Sequence, residues 1–346
     1  MVAAPIAIDI RAGAVGGLAS LLADRRISSG GHVAVAVGPG LGEEIAVLLG
    51  SELTNAELFT VRGGTLQAAS GLAAQLRKGF YDALVGIGGG RTIDVAKSAA
   101  SMTGLPMVAV ATNLAHDGIA SPVSSLEEGG RKASFGVNPP IAVVVDLDYV
   151  RRSPAAMRRA GVGDVVSNLS AIADWRVAEH LCGERVDGVA VTFARTAATA
   201  VLYRTDSIDN EDFLVALAEA LVLSGLAMAT AGSSRPCSGA EHEIVHAVDH
   251  LFPGTANHGE LVAVATLFAC HLRDDGPLSA AIDVALRRHE LPRLPSDLGL
   301  SDAQFVDAVL AAPATRPDRF TVLEHLQLDR PAASRHVAQF VERFAS

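Results

Sequence analysis

The chain of 346 residues is poor in cysteine, in aromatic side chains and in positive charge. Its three cysteines, Cys182, Cys237 and Cys270, are widely spaced and form no CxxC pair. That excludes a disulfide framework or a cysteine zinc knot, and it suits a reducing compartment. Aromatic residues make up 4%, and 28 Lys and Arg face 38 Asp and Glu, a formal net charge of −10 with no basic block. Such a surface argues against nucleic acid and against anionic membranes as partners. Long apolar runs are missing as well. Mean hydropathy is high at +0.32, yet the excess comes in short runs of Ala, Val and Leu. None reaches the ~18 to 20 uninterrupted apolar residues of a membrane span. Asp9 and Arg11 interrupt the N-terminus before a signal-peptide core can form. The expected localisation is cytoplasmic.

What the sequence does have is alternation. Residues 6–10, 32–37, 58–61, 83–87, 107–111 and 141–145 are short apolar runs, and residues 15–23, 41–49, 66–77 and 92–102 carry helical spacing. This predicts a Rossmann-like parallel sheet, whose strands are apolar throughout because both faces are covered. Residues 121–138, with Pro122 and Gly129-Gly130, read as a hairpin inserted before the last strand. Beyond Arg151-Arg152-Ser153-Pro154 the pattern is helical, as over 165–180, 188–203, 213–231 and 259–273. The expected organisation is an α/β cofactor-binding domain over residues 1–152 and an all-α domain over 153–346.

Residues 82–94 read as strand, glycines, helix: Gly88-Gly89-Gly90 and then Arg91-Thr92-Ile93-Asp94. Glycines let a diphosphate approach the backbone, and the helix start offers N–H groups and a positive dipole end. The turn follows the fourth strand, and no Gly-Lys-Ser/Thr comes after it, so it is neither the usual dinucleotide fingerprint nor a Walker loop. A tight structural turn is the plain alternative. The second strand ends at Gly38, where no acidic side chain waits for a ribose hydroxyl, so NAD(H) and NADP(H) are both admitted. The loop over 111–122 follows a strand's carboxyl end, where open α/β sheets place ligands. Thr112, Asn113 and Ser121 are candidate cofactor contacts there, and Asp117 is a candidate for a substrate hydroxyl. The alternative for His116-Asp117 is a turn cap.

Five of the eleven histidines lie between His242 and His271. His242, His246 and His250 are spaced to share one helix face. His258 follows in Asn257-His258-Gly259-Glu260. Asp164, in Gly163-Asp164, would complete an Asp-His-His set with open positions, suited to Zn²⁺, Fe²⁺ or Ni²⁺ as a Lewis acid. A helix N-cap is the alternative for Asp164. His246 is open between fourth ligand, substrate contact and core histidine. His242-Glu243-Ile244-Val245-His246 also matches HExxH, which would make a zinc hydrolase. Against that, Asp249 stands where the extended motif has glycine, and the glycine turn would have no role. Cys237 reads as a small buried residue rather than a nucleophile.

These segments together resemble the sn-glycerol-1-phosphate dehydrogenase family, within the iron-containing alcohol dehydrogenase and dehydroquinate synthase-like superfamily. The resemblance rests on Gly88-Gly89-Gly90-Arg91-Thr92-Ile93-Asp94-Val95-Ala96-Lys97 and on His116-Asp117-Gly118-Ile119-Ala120-Ser121-Pro122. It continues through Gly163-Asp164, Ser233-Ser234-Arg235-Pro236, Glu241-His242, His258-Gly259-Glu260 and Arg316-Pro317-Asp318-Arg319-Phe320. It implies Asp164, His242 and His258 as metal ligands and Asp117 and His246 as substrate contacts, with Asp164 near the substrate too; Asp117, Asp164 and His246 are then the catalytic candidates. The cofactor would touch Gly38, Gly88 to Thr92 with Arg91, Asp94, Thr112, Asn113, Ala115 and Ser121. Lys132 and Arg235 are candidates for a substrate phosphate. The family's usual Pro-Thr-Ala-Ala-Ser is here Ala111-Thr112-Asn113-Leu114-Ala115, so the larger Asn113 and Leu114 are expected to alter the cleft wall. The implied activity is metal-dependent, NAD(P)H-linked interconversion of dihydroxyacetone phosphate and sn-glycerol 1-phosphate. It would use one divalent metal, zinc foremost, in a homo-oligomer. A sugar phosphate cyclase or a reductase of another small ketone or aldehyde are the alternatives.

Overall fold

Strand and helix alternate in the first part of the computed structural model, which describes residues 4–345 apart from residues 31, 51, 52 and 54. The elements are Ala7–Arg11 (β1), Leu18–Leu22 (α1), Val33–Val37 (β2), Leu41–Leu49 (α2), Ala56–Thr60 (β3) and Leu66–Leu76 (α3). Then come Ala83–Gly88 (β4), Gly90–Thr103 (α4), Met107–Ala111 (β5), Val123–Glu128 (β6), Arg131–Gly136 (β7) and Ala142–Asp146 (β8). Six strands make one sheet in the order β1-β8-β5-β4-β2-β3, and every neighbouring pair is parallel. The hairpin β6–β7 is antiparallel and stands apart from that sheet.

The two-residue period of a strand sorts its side chains between two cores. In β2, Val33, Val35 and Val37 join Leu18, Ile45 and Leu49 of α1 and α2. Ala34 and Ala36 face the opposite way, into a larger core that extends to Phe344. The inner strands β2, β4, β5 and β8 are buried along their whole length. The edge strand β3 is half exposed and starts at Ala56, two residues before the expected run, because Glu57 and the exposed Leu58 dilute its apolar signal. The expected helix over 15–23 is a 3₁₀ turn, Ala14–Gly17, followed by the short α1, since Gly16-Gly17 weakens the α-helical start.

From residue 147 the chain is helical: Leu147–Arg152 (α5), Ala155–Cys182 (α6), Gly188–Leu202 (α7), Glu211–Ala231 (α8) and Ala240–Leu251 (α9). The rest are His258–Leu272 (α10), Gly276–Arg288 (α11), Asp302–Ala311 (α12), Val322–Leu326 (α13) and Arg330–Phe344 (α14). α6 begins ten residues before the expected 165, because Ala155, Ala156, Met157, Arg158 and Arg159 are all good helix formers. Asp164 is therefore mid-helix and caps nothing. α8 is long and apolar enough by composition to cross a membrane, but 61% of its most apolar window is buried in the protein. It is a core helix.

One internal ion pair ties the hairpin to the sheet domain. Lys97 of α4 is fully buried. Its Nζ lies 3.0 Å from Asp94 Oδ1 and donates to the carbonyl oxygens of Ser121 and Val123. Asp94 Oδ2 accepts from the Ser125 N–H at 3.3 Å. Buried charges persist only when paired and hydrogen-bonded, so the root of β6 is held to one place on α4.

Candidate metal and cofactor site

Three helices bring three candidate ligand side chains together. α6 carries Asp164, α9 carries His242 and α10 starts at His258. Glycine makes the approach of α6 and α10 possible. A Cβ on Gly163 would lie 2.3 Å from the Gly259 carbonyl oxygen. The residues next in sequence, Asp164 and His258, are thereby set side by side. His258 Nε2 is 3.6 Å and His242 Nε2 is 4.0 Å from Asp164 Oδ1. The three ligand atoms all lie within 4.8 Å of one another, the one such cluster among the described residues.

The donor set fits a divalent cation. Burial, then neighbouring Asp117, pushes the Asp164 carboxyl well above its ordinary range. Burial, then His242 and His116, holds the His258 imidazole well below its own. A carboxyl that resists its charge beside a neutral imidazole is what a bound cation would relieve, since a metal takes carboxylate and neutral imidazole as ligands. Asp164 Oδ2 is fixed by the Asp117 backbone N–H at 2.9 Å. His242 Nδ1 lies 3.2 Å from Glu241 Oε1. Glu241 is buried, which alone would raise its pKa. It nonetheless sits below the ordinary carboxyl range, because His242, the Gly239 N–H and the Ser170 hydroxyl favour its charge. A carboxylate on one ring nitrogen leaves the other, Nε2, free to coordinate.

The glycine turn sits beside this cluster's loop. Gly88 of β4 is in register with Ala111 of β5, and the Thr112 N–H donates to the Gly88 carbonyl at 3.0 Å. A Cβ on Gly89 would lie 2.5 Å from Asn113 Nδ2, and one on Gly90 would lie 2.0 Å from His116 Nε2. Gly38 is equally close to Thr92, 2.1 Å from its Oγ1. Gly38, Gly88 to Gly90, Thr92, Thr112 and Asn113 thus form one side-chain-poor cradle at the start of α4, whose N-cap Gly89 makes no side-chain hydrogen bond. Such a cradle can take a diphosphate. Arg91 is exposed beside Gly64 at its rim. Ala115 donates its N–H to Asn113 Oδ1 at 3.3 Å and so shapes the loop.

Several expected contacts have other work. The Asp94 carboxylate is taken up by Lys97 and Ser125 in the interior. The Ser121 hydroxyl donates to the Val123 carbonyl at 3.1 Å. Arg235 is withdrawn from a phosphate role: it is buried, with Nε and Nη2 on Glu184 at 2.8 and 2.6 Å and Nη2 also on the Phe320 carbonyl. Lys132 is paired with Asp249 at 2.9 Å. Leu114 does not line the cleft either; it is fully buried in the main core. Cys237 is buried, and burial holds its thiol well above its ordinary pKa, as a core residue requires.

Other residues enter the site, among them His116, whose side chain caps the turn Asp117–Ile119 as the alternative reading of His116-Asp117 expected. His116 accepts the Gly118 N–H on Nδ1 at 3.0 Å, and its ring centroid lies 6.1 Å from that of His258, so it spans from the glycine turn to the metal cluster. Glu241 stands next to His242 in sequence, which was a usable signal. Arg316 Nη2 lies 3.1 Å from His246 Nε2; nothing local in the sequence marks that pairing. Burial, then Arg316, drives the His246 pKa down to about 3.

The profile of the iron-containing alcohol dehydrogenase family matches residues 9–154. A glycerol-1-phosphate dehydrogenase [NAD(P)+] of Hyperthermus butylicus is 35% identical over 337 residues, 96% of this chain and 95% of that enzyme. One from Archaeoglobus fulgidus is 40% identical over 257 residues, 72% of this chain and 73% of that enzyme. The chain belongs to the glycerol-1-phosphate dehydrogenase family. The crystal structure of a probable glycerol dehydrogenase from Sinorhizobium meliloti covers 98% of this chain and 97% of its own, with a TM-score of 0.79 at 22% identity, and shares the fold. Membership of the glycerol-1-phosphate dehydrogenase family accounts for the sheet domain that a protease reading leaves idle. The geometry rejects HExxH directly. His246 lies outside the ligand cluster, and Glu243 is buried with Oε2 on the Thr321 hydroxyl at 3.1 Å. Burial, then Glu324, raises the Glu243 pKa to about 9, so it is a neutral acid where a protease needs a base.

Proposed function

We propose that the chain interconverts dihydroxyacetone phosphate and sn-glycerol 1-phosphate, with Asp164, His242 and His258 holding one divalent ion, zinc foremost and nickel or iron as alternatives. The observation that carries this reading is the adjacency of that cluster to the glycine cradle through the single loop over 112–121. When bound, the ion supplies a Lewis acid for a ketone oxygen and the nicotinamide cofactor supplies the hydride.

The chain's own residues do the rest. The N–H groups at the start of α4 receive the cofactor diphosphate, and Thr112 and Asn113 bound its path. Asp117 anchors Asp164 through its backbone and offers its carboxyl to a substrate hydroxyl. Its pKa is raised, chiefly by burial, which suits a group that shares a proton with an alcohol. His246 serves as a neutral hydrogen-bond partner and not as a charged acid, because it is buried and Arg316 stands on its Nε2.

The test is a panel of carbonyl compounds with NADH and NADPH after loading with zinc, nickel or iron. Dihydroxyacetone phosphate is expected to be preferred, with product of the sn-1 configuration. Cofactor retained without net turnover would mark a cyclase instead. Indifference to the phosphate would mark a reductase of unphosphorylated ketones.

A further inference from the structure

We propose that Arg316 is the phosphate-recognition residue of the cleft and so the group that selects a phosphorylated ketone. This rests on the reading of the active site given above and assigns the residue it leaves open.

The argument begins with charge. Four basic side chains lie near His246 or its neighbours, and three are spoken for. Lys132 is paired with Asp249 and Arg235 with Glu184. Arg319 is spent on Ser238 and Ser234. Arg316 is half-buried and makes no ion pair with a carboxylate among the described residues. Its two hydrogen bonds, both from Nη2, go to Ser134 Oγ at 3.0 Å and to His246 Nε2 at 3.1 Å. Nε and Nη1 are left over. Burial works against its charge, and Asp318 supports that charge only at a distance. Arg319, close enough to feel both Arg316 and Arg235, has its own pKa lowered to about 10, first by burial and then by those two neighbours. A partly buried guanidinium with no carboxylate in ion-pair contact is costly, and an oxyanion is the ligand that relieves it.

Position then decides which oxyanion. His246 is one helical turn beyond His242, about 6 Å along the axis of α9. The cleft is therefore bipolar. At one end are Asp164, Asp117 and the two ligand histidines; at the other are Arg316 and the hairpin hydroxyl of Ser134. A ketone whose carbonyl is separated from a phosphate by one methylene and one ester oxygen matches that polarity. Ser134 Oγ accepts from Arg316, so its own O–H is free for the same phosphate. Planar, two-pronged donors are the preferred partners of phosphate oxygens.

The experiment compares kcat/KM for dihydroxyacetone phosphate and for dihydroxyacetone, in zinc-loaded wild type, Arg316→Gln and Arg316→Lys. Inorganic phosphate is titrated as a competitive inhibitor, and zinc content is measured throughout. In Arg316→Gln the ratio of the two kcat/KM values is expected to fall about 100-fold, the usual loss on truncating one partner of a buried charged hydrogen bond. Inhibition by inorganic phosphate should weaken in parallel, and Arg316→Lys should recover part of both. An equal loss on both substrates would overturn the proposal, since Arg316 would then be holding His246 or the fold. An unchanged ratio would overturn it as well. A wild-type ratio near one is a different failure: it removes the substrate reading itself, before any variant is made.

Discussion

A Cβ placed on Gly259 would lie 1.9 Å from the carbonyl oxygen of Ala160. The contact is backbone to backbone, so α10 would have to move away from α6. His258 precedes that glycine, and its Nε2 is 3.6 Å from Asp164 Oδ1. Gly259→Ala is expected to lower zinc content sharply without touching a ligand, and to destabilise the fold by roughly 1–3 kcal/mol, as overpacking does. Metal analysis with thermal unfolding checks this. Gly71→Ala, in α3 with nothing within 4 Å, is the control and should stabilise by about 0.5–1 kcal/mol.

Glu241→Gln removes the carboxylate charge beside His242 Nδ1 while keeping shape. Zinc affinity, read by chelator competition, should fall about 10- to 100-fold, the usual cost of losing such an orienting partner. Unchanged affinity would mean that the Glu241 carboxylate serves only the buried network with Ser170.

Gly90→Ala places a methyl group against His116 Nε2. Nucleotide affinity, followed by NAD(P)H fluorescence, should fall at least about tenfold, a loss near 1.4 kcal/mol, while zinc content stays at the wild-type level. Loss of zinc together with nucleotide would show that the turn also supports the metal cluster.

Glu243 makes stability depend on pH. Burial, then Glu324, lifts its pKa from 4.5 to about 9 in the folded chain. Between those values the folded state binds the proton more tightly than the unfolded state, so this contribution is full below pH 4.5 and is lost as pH rises toward 9. Urea midpoints of metal-free protein at pH 5, 7 and 9 should decline more steeply in wild type than in Glu243→Gln. Parallel declines would show that Glu243 is already ionised in the fold.

The sequence by itself determined the elements and the kinds of chemistry. Alternating apolar runs and turn residues are local signals: the runs prescribed the parallel sheet and the helical remainder, and Pro122 with Gly129-Gly130 marked the inserted hairpin. The glycine turn and the Asp-His-His residue types were readable for the same reason, since glycine and imidazole have few structural substitutes. Tertiary structure decided which charges remain available. Lys132 meets Asp249 across 117 positions and Arg235 meets Glu184 across 51, and no local pattern announces either pair. The same holds for the inward turn of Asp94, for Leu114 in the core, and for the separation of His246 from the ligand cluster although it is one helical turn from His242. Hydrophobic periodicity is written along the chain. The partner of a charge and the gap between two helices exist only once distant segments have packed, and there Arg316 was left without a counter-ion.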